Sequence, residues 1–517
     1  MLNVSPEFKT AVYAPTRTTR ARVSFNISDV TAPGDAAVTV TSEVAGFSRL
    51  QETKDSILTR PAYATFEPDY WKLDGSFVLP PKPSETDYEV GWYSDAFSNA
   101  DGSFSVPQVL DYTFGQTHSS IGITVTFDTP TGECATDFVI NVYNGGTVIY
   151  TDTVTGNTLA QYVLEKQLND YNRVTVSISK WSAGNRRAKV IEVTFGVVRV
   201  YEDNKLIRVD VTEEIDPTSA ALPVSEMKFV VDNSSREFNI LNPTGSYAYL
   251  AERQRVHTEI GVMIAPNRFE YLTLGYYYLS DWQSDEGALT TTFTARNLID
   301  FLSDEEITNL TSGSMSLYDF TAALLTGAGV ERYEIDPALS SITTQGVYDS
   351  LTRREILQMI ALAGMSVVRV DRYDKLIIEQ LPAGASVDTL DFDNIYKEPK
   401  INLEELVTRV EVNYYSGVDV AGVAVATVAV AGGKTLKVEN TLISSQAHAQ
   451  AVANWFLAEN LKRAIYEINW RQNPALECGD LVEVENSYNE TKQSRITRQE
   501  YNYAGFLRGR SLTRGAI

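Results

Sequence analysis

The sequence predicts a mainly β chain with one small α+β domain. Three observations carry this. Tyr (28) and Phe (20) stand beside many Thr and Val, residues that suit a pleated, half-buried surface. Apolar residues alternate at period two within 20–47, and β-type runs follow through 86–300 and again through 400–517. Helical spacing takes over mainly in 313–380 and again in 444–465. The length allows roughly two to four domains.

Val23, Phe25 and Ile27 alternate, as do Val38 and Val40, with a loop at Pro33-Gly34 between them; a strand pair is expected. From Arg60 the composition turns to Tyr, Trp, Asp and Pro, and Pro80–Pro83 (PPKP) reads as a stiff connector. GITVTFD, DFVINVYNGG, TVIYTDTV, NRVTVSISKW and KVIEVTFG are short, regularly spaced strands. Asn144-Gly145-Gly146 between two of them is a hairpin signal. Such spacing means a β-sandwich or jelly roll, inserted at 61–196. VVRVYEDNKLIRVDVTEEI reads as one paired unit turning at Asp203-Asn204, and later strands run into a helix at Asn297.

SLYDFTAALLTGAG and TRREILQMIALAG are helices ended by Gly327 and Gly364. Ser316 and Thr352 are their N-caps, and Glu355 completes a capping box. A hairpin turning at Tyr373-Asp374 closes this small α+β unit, 306–398. Beyond it, LVTRVEVNYYSG and the run Val418–Ala431 read as strands. The uneven Val spacing of that run implies short strands with bulges, or a loop against a neighbouring subunit. The 444–465 helix is given Ala447, Ala451, Trp455 and Leu461 among its apolar positions. Two β units with a helix each thus flank a small helical domain.

Lys+Arg number 44 and Asp+Glu 67, a net charge of −23, which argues against a surface built to grip phosphate backbones. Cys134 and Cys478 fall in different domains and read as free thiols. The first residues carry no apolar signal core, and Val418–Ala431 is too short to span a bilayer, so a soluble protein made in a cytoplasm is expected.

No phosphate loop, GxSxG elbow or HExxH is present, and the three His lie far apart. No catalytic residue, cofactor or metal is expected. Asp69, Asp74, Asp87, Glu89, Asp95 and Asp101 lie near Trp71, Trp92 and Tyr93. Aromatic faces beside carboxylates suit a saccharide, with Trp71, Trp92, Tyr93 and Asp95 as its contacts; the other reading is a solvated loop over core aromatics. Asp101-Gly102-Ser103 and Asp128 offer oxygen ligands for calcium, without EF-hand spacing.

At 226–261 the order of features resembles the first barrel of phage tail hub (baseplate hub, tail-tip) proteins. An apolar strand leads to Asp232-Asn233-Ser234, then Phe238, Pro243, Leu250 and the basic stretch Arg253 to Val256. The segment 277–302 is similar to the next hairpin and helix of that family. The small domain resembles its helix-plus-hairpin, with Asp371 and Lys375 in the turn. The C-terminal helix and, after it, Pro474, Leu476, Gly479 and Asp480 resemble the second barrel. Together these cover roughly 197–517 and part of 1–60.

The resemblance implies two tail-tube-like β-barrel units, one split over 1–60 and 197–305 and the other at 399–517. It implies a homotrimer whose six barrels stack on a hexameric tail tube, in a virion tail assembled in the host cytoplasm. Partners would be the tail tube protein, distal tail or baseplate proteins and the tape measure protein, with double-stranded DNA in transit. The insert departs from the simplest members. It reads as a galactose-binding-like jelly roll, a candidate for host polysaccharide or accessory tail proteins. A carbohydrate-binding host-adhesion protein is the alternative. A polysaccharide hydrolase is disfavoured by the missing enzymatic domain. The acidic runs Asp210 to Asp216, Asp281 to Glu286 and Asp300 to Glu306 are the candidates for an acidic or neutral channel wall.

Overall fold

Seven strands lie side by side in the order Gly196–Glu202, Thr19–Ser28, Arg255–Ala265, Arg268–Gln283, Thr290–Arg296, Glu226–Asp232, Leu206–Glu214. All neighbours are antiparallel. Their inward residues alternate, so the sheet rolls around one core in which Phe229 stacks on Phe293 at 4.9 Å and Phe25 meets both edge-on. This is a computed structural model describing residues 1–54, 60–82, 89–243, 245–284, 287, 289–430, 432–488 and 490–516.

A second rolled run has a similar plan with six strands, antiparallel except for the first pair: Asp388–Leu390, Leu481–Glu485, Thr491–Tyr503, Leu507–Gly515, Ala464–Trp470, Ile395–Leu403. It encloses Trp470, Ile468, Val482, Val484 and Ile496. In both runs the two outermost strands are consecutive in sequence. The runs fuse where Leu206–Glu214 pairs with Thr491–Tyr503, from Val209↔Tyr503 to Glu214↔Arg498, giving one 13-stranded sheet. The helix Pro6–Val12 buries Phe8 and Val12 against Val262 and Leu272 of the first run and Ala475 of the second.

This arrangement corrects one expected pairing. Gly196–Glu202 and Leu206–Glu214 do not pair with each other; the turn at Asp203–Lys205 links the two outer strands of the rolled sheet. Alternation tells which face of a strand is buried but not which strand lies beside it.

The insert grows out of a strand pair. Ser28 is opposite Gly196, and the Asp29 amide bonds the Phe195 carbonyl at 3.1 Å. Between them, Glu192–Thr194, Ser103–Thr126, Gln161–Trp181, Ala135–Asn144 and Thr147–Val154 form a sheet in that order. Trp92–Phe97 and Arg187–Val190 pair separately. All but the outermost Thr147–Val154 add buried residues to one core holding Trp92, Trp181, Phe127 and Tyr112. Gly145 and Gly146 turn the expected hairpin with φ of 54° and 89°. Ala36–Val40 pairs with this sheet (Val38↔Tyr112) and not with Thr19–Ser28. The expected 20–47 strand pair is therefore absent, and the insert's sheet begins well before 61. Pro83 and Asp87 lie outside the described residues.

In the α+β unit, Ser316 Oγ accepts from the Asp319 amide, and Thr352 with Glu355 forms the capping box. The helices Leu317–Gly327 and Arg353–Ala363 share a core with Val407–Ser416, Asp419–Thr427, Lys434–Val438 and the helix Gln446–Leu461. Residues 407–461 thus pack with the helical unit rather than with the second rolled sheet. The long helix buries Ala449, Val452, Ala453, Phe456 and Leu457. Ala447, Ala451 and Leu461 face outward, because the helix docks on a face rotated from the expected one. A 3-10 turn, Leu298–Ser303, stands where a helix after Asn297 is expected. No described helix is long and apolar enough to cross a membrane.

Candidate functional site

The joint between the two rolled sheets is held by one side chain from the α+β hairpin. Arg372 Nε donates to Glu213 Oε1 at 2.9 Å. Its Nη2 donates to the Leu476 carbonyl and the Tyr501 hydroxyl, both at 2.6 Å, and its Nη1 to the Pro474 carbonyl. The planar fork serves three units at once: Glu213 in the first run, Tyr501 in the second, and the hairpin that carries it. Burial pushes the Glu213 carboxyl up despite the guanidinium beside it. Arg17 repeats the device, donating to the carbonyls of Gln472 at 2.7 Å and Leu507 at 3.0 Å.

The turns singled out by sequence have structural duties. Asp232 caps Ser234, and the buried Asn233 accepts from the Phe238 amide at 3.1 Å. Asp371 Oδ1 accepts the Tyr373 and Lys375 amides at 2.8 and 2.9 Å, shaping the hairpin that presents Arg372.

The four residues proposed to touch saccharide part company. Trp92 and Tyr93 are fully buried. Trp92 faces the insert core, its Nε1 donating to the Ser42 carbonyl at 2.9 Å, and Tyr93 packs with Tyr63, Val90 and Phe47. Both faces of the strand are covered at Trp92 and Tyr93, so neither ring is open to a pyranose. Trp71 is 43% exposed, and Asp95 is exposed beside Arg187 at 3.4 Å. Phe66 (99%) and Leu73 (94%) are exposed on the same stretch as Trp71.

The nearby carboxylates are likewise dispersed. Asp74 caps Ser76 and Asp101 caps Ser103, and Glu89 pairs with Arg332 at 3.5 Å. Asp128 is buried with Arg60 at 3.3 Å and accepts from Tyr70 at 2.7 Å, so it is not free for calcium. Among the described residues no group of three or more His, Cys, Asp or Glu is placed to hold a metal ion. Cys134 and Cys478 are free and buried.

Sequence reasoning missed the buried ionic knot around Asp128. Lys189 reaches Glu67 at 3.0 Å and Glu133 at 3.3 Å, with its ammonium 3.9 Å from the Tyr70 ring centre. The available signal was Lys189 itself, flanked by Ala188 and Val190 in a short strand buried on both faces. The acidic runs are also mostly neutralised in place. Asp210 pairs with Arg208, Glu214 with Arg498 at 3.2 Å, Asp300 with Arg296 at 3.6 Å, Asp304 with Arg253 and Glu305 with Arg353.

No family model matches this chain, and no curated protein is detectably similar in sequence. Solved structures do resemble it in part. A tail protein from Neisseria meningitidis is 13% identical over 60% of this chain and 93% of its own, with a TM-score of 0.44. The prophage MuSo2 43 kDa tail protein from Shewanella oneidensis is 13% identical over 61% and 95%, with a TM-score of 0.43. The family 32 CBM from C. perfringens NanJ, solved with galactose, is 16% identical over 34% of this chain and 99% of its own, with a TM-score of 0.22.

Proposed function

We propose that this chain is a structural, non-enzymatic hub at the tip of a phage or phage-like tail. Three copies form a ring that joins a hexameric tail tube to the baseplate or tail tip and lets double-stranded DNA pass. One observation carries the reading: two rolled sheets of similar plan, each with sequence-adjacent outer strands, are fused in a single chain, the outer strand Leu206–Glu214 of one pairing along Thr491–Tyr503 of the other. Three such chains supply six rolled sheets, which matches a six-fold tube. The order of sequence features at 226–261, 277–302 and 474–480 supports the same reading. Tail tube, distal tail or baseplate, and tape measure proteins are the partners it implies. Electron microscopy of the parent particle with this chain labelled tests it. Three copies in a ring at the tube end is the expected image; a single copy, or a position away from the tube, overturns it.

A second role is proposed for the insert, in host attachment. The exposed Phe66, Trp71 and Leu73 lie on its connecting stretch, available to a saccharide or to an accessory tail protein. Glycan-array binding by the full chain, lost in Trp71→Ala, is expected for a saccharide. Binding unchanged by that substitution removes Trp71 from the site.

A further inference from the structure

Inside the insert, the Lys189 ammonium and the Glu67 carboxylate are both fully buried and lie 3.0 Å apart. The rings of Tyr70, at 3.9 Å, and of Tyr93 and Trp181, both at 6.0 Å, enclose the amine. An ion pair this deep carries a large desolvation cost on both partners. Two further carboxylates are at hand: Glu133 Oε2 accepts from Lys189 Nζ at 3.3 Å, and Asp128 Oδ2 lies at 3.7 Å. Each of these has a cation of its own. Glu133 pairs with Arg186 at 2.9 Å, and Asp128 with Arg60 at 3.3 Å. Among the described residues Glu67 has no cation but Lys189. Its other donors are neutral: the Arg187 amide to Oε1 at 2.8 Å and the Thr65 hydroxyl to Oε2. With a C–O bond of about 1.2 Å, the 3.0 Å separation puts Nζ within about 4.2 Å of Glu67 Cδ. That is close to the about 3–3.5 Å of a near-attack geometry.

We propose that Lys189 and Glu67 condense to an intramolecular isopeptide bond. Nζ bonds to Cδ, and the bond from Cδ to Oε2 breaks. Of the three ammonium protons, one stays on the amide nitrogen and two leave with Oε2 as water. Glu133 takes a proton from Nζ and passes it on, which returns its own carboxylate. Thr65, bonded to Oε2, relays the other. Oε1 becomes the amide oxygen, and the Arg187 amide that it already accepts stabilises the oxyanion formed on the way. No oxidant, reductant or co-reactant is consumed. Fixed geometry replaces a bimolecular encounter, and the enclosed site gives its water up to bulk.

The charges support the same pair. Condensation removes one charge of each sign, so Arg60 and Arg186 still balance Asp128 and Glu133. The desolvation cost of the Lys189–Glu67 pair goes with it. Asp128 is the poorer electrophile. Burial disfavours its charge, but Arg60 and Lys189 outweigh that and hold its carboxyl below the ordinary range. The bond ties the stretch carrying the exposed Phe66, Trp71 and Leu73 to the strand Arg187–Val190. A pull on Trp71 then reaches Gly196 through covalent bonds that bypass the insert core.

The intact mass of the full chain, measured denatured after folding, tests this. A chain lighter than its sequence by one water, about 18 Da, is expected. A tryptic digest should hold a branched peptide joining Glu67 to Lys189, uncut after Lys189. Lys189→Met should restore the full mass. The wild type should also migrate faster than that variant in a denaturing gel, because its chain is looped. Glu133→Gln, which leaves both condensing groups in place, should slow the conversion about a hundredfold. The wild-type mass decides the bond whether or not either variant folds. Full mass in the aged, folded wild type overturns the proposal. So does a water loss mapped to Asp74-Gly75 or Asp101-Gly102, where a succinimide forms without a lysine, or a cross-link from Lys189 to Asp128 or Glu133. Conversion of Glu133→Gln at the wild-type rate overturns the role given to Glu133.

Discussion

Arg372 is a buried cation whose partners decide what a substitution does. Arg372 is matched donor for donor by Glu213, Tyr501 and two carbonyls. Arg372→Met removes the fork and leaves Glu213 buried without its partner. A loss of about 3–5 kcal/mol is expected, read as a drop in the chemical-denaturation midpoint. Glu213→Gln in the Arg372→Met background should recover part of that loss, because the stranded charge is then gone. No recovery would mean that the carbonyl contacts carry the joint. His118 sets a different test. Its Nδ1 lies 2.7 Å from Asp29 and its Nε2 3.0 Å from Asp35, both in the segment linking Thr19–Ser28 to the insert. Burial disfavours the imidazolium, but the two carboxylates outweigh it and raise the folded-state value above the ordinary 6.5. A raised value means that the contribution is complete below the unfolded value and fades as pH rises through the folded one. Asp29 and Asp35 are held below the ordinary 3.8, so their share is present above that value and is lost as pH falls. The stability difference between wild type and His118→Gln should therefore be largest near about pH 6 and shrink at alkaline pH. A difference that does not vary over that range would show that His118 acts by packing alone, against Phe114 at 4.9 Å.

At the scale of elements, the insert is a hairpin turn grown to domain size. It leaves at Ser28 and returns at Gly196, and these residues face each other on neighbouring strands. Replacing 30–194 by Asn-Gly should therefore leave a soluble chain with the 13-stranded sheet intact, since a two-residue turn suits that strand pair. Cutting at 61–196 instead should yield aggregates. It removes the strand that Ala36–Val40 pairs with, and that edge would remain open. Solubility and circular dichroism of the two deletions decide between the boundaries, and a soluble 61–196 deletion would refute the structural one. The seat of the insert is equally specific. A Cβ on Gly122 would meet the Leu164 carbonyl at 2.1 Å and Val197 at 2.7 Å, so Gly122→Val should lower the melting temperature. What the sequence made legible here was local. Both helix caps, the Asn144 hairpin and the turn at Asp374 are set by neighbours within a few residues. What it hid was long-range: which strand lies beside Gly196–Glu202, and where the helix Gln446–Leu461 docks. Two of the four proposed saccharide contacts were lost for the same reason. The aromatic side chains of Trp92 and Tyr93 were visible in sequence, but what covers them comes from distant segments: the insert core over Trp92, and Phe47 and Tyr63 over Tyr93.

For the whole molecule, charge bears directly on the proposed passage of DNA. The net charge of −23 suggests a repulsive wall, yet the structure spends many of the relevant carboxylates locally. Asp210, Glu213 and Glu214 face Arg208, Arg372 and Arg498, and Asp300, Asp304 and Glu305 face Arg296, Arg253 and Arg353. Asp285 and Glu286 of the run Asp281 to Glu286 lie outside the described residues. A bore lined by such runs would present paired charges, nearly neutral to a passing duplex, with neither the grip of a basic lumen nor strong repulsion. Grip has a measurable signature, because each phosphate neutralised by Lys or Arg releases counterions and steepens the fall of affinity with salt. The assembled protein should therefore show no saturable binding to a short DNA duplex by fluorescence anisotropy at about 50 mM salt, weaker than about 10⁻⁵ M, and no salt slope to measure. Raising salt to about 200 mM should change nothing, since paired charges leave few counterions to release. Tight binding that collapses over that salt range would mean that unpaired Lys and Arg line the bore. The acidic excess would then belong to the outer surface, where it keeps the chain soluble.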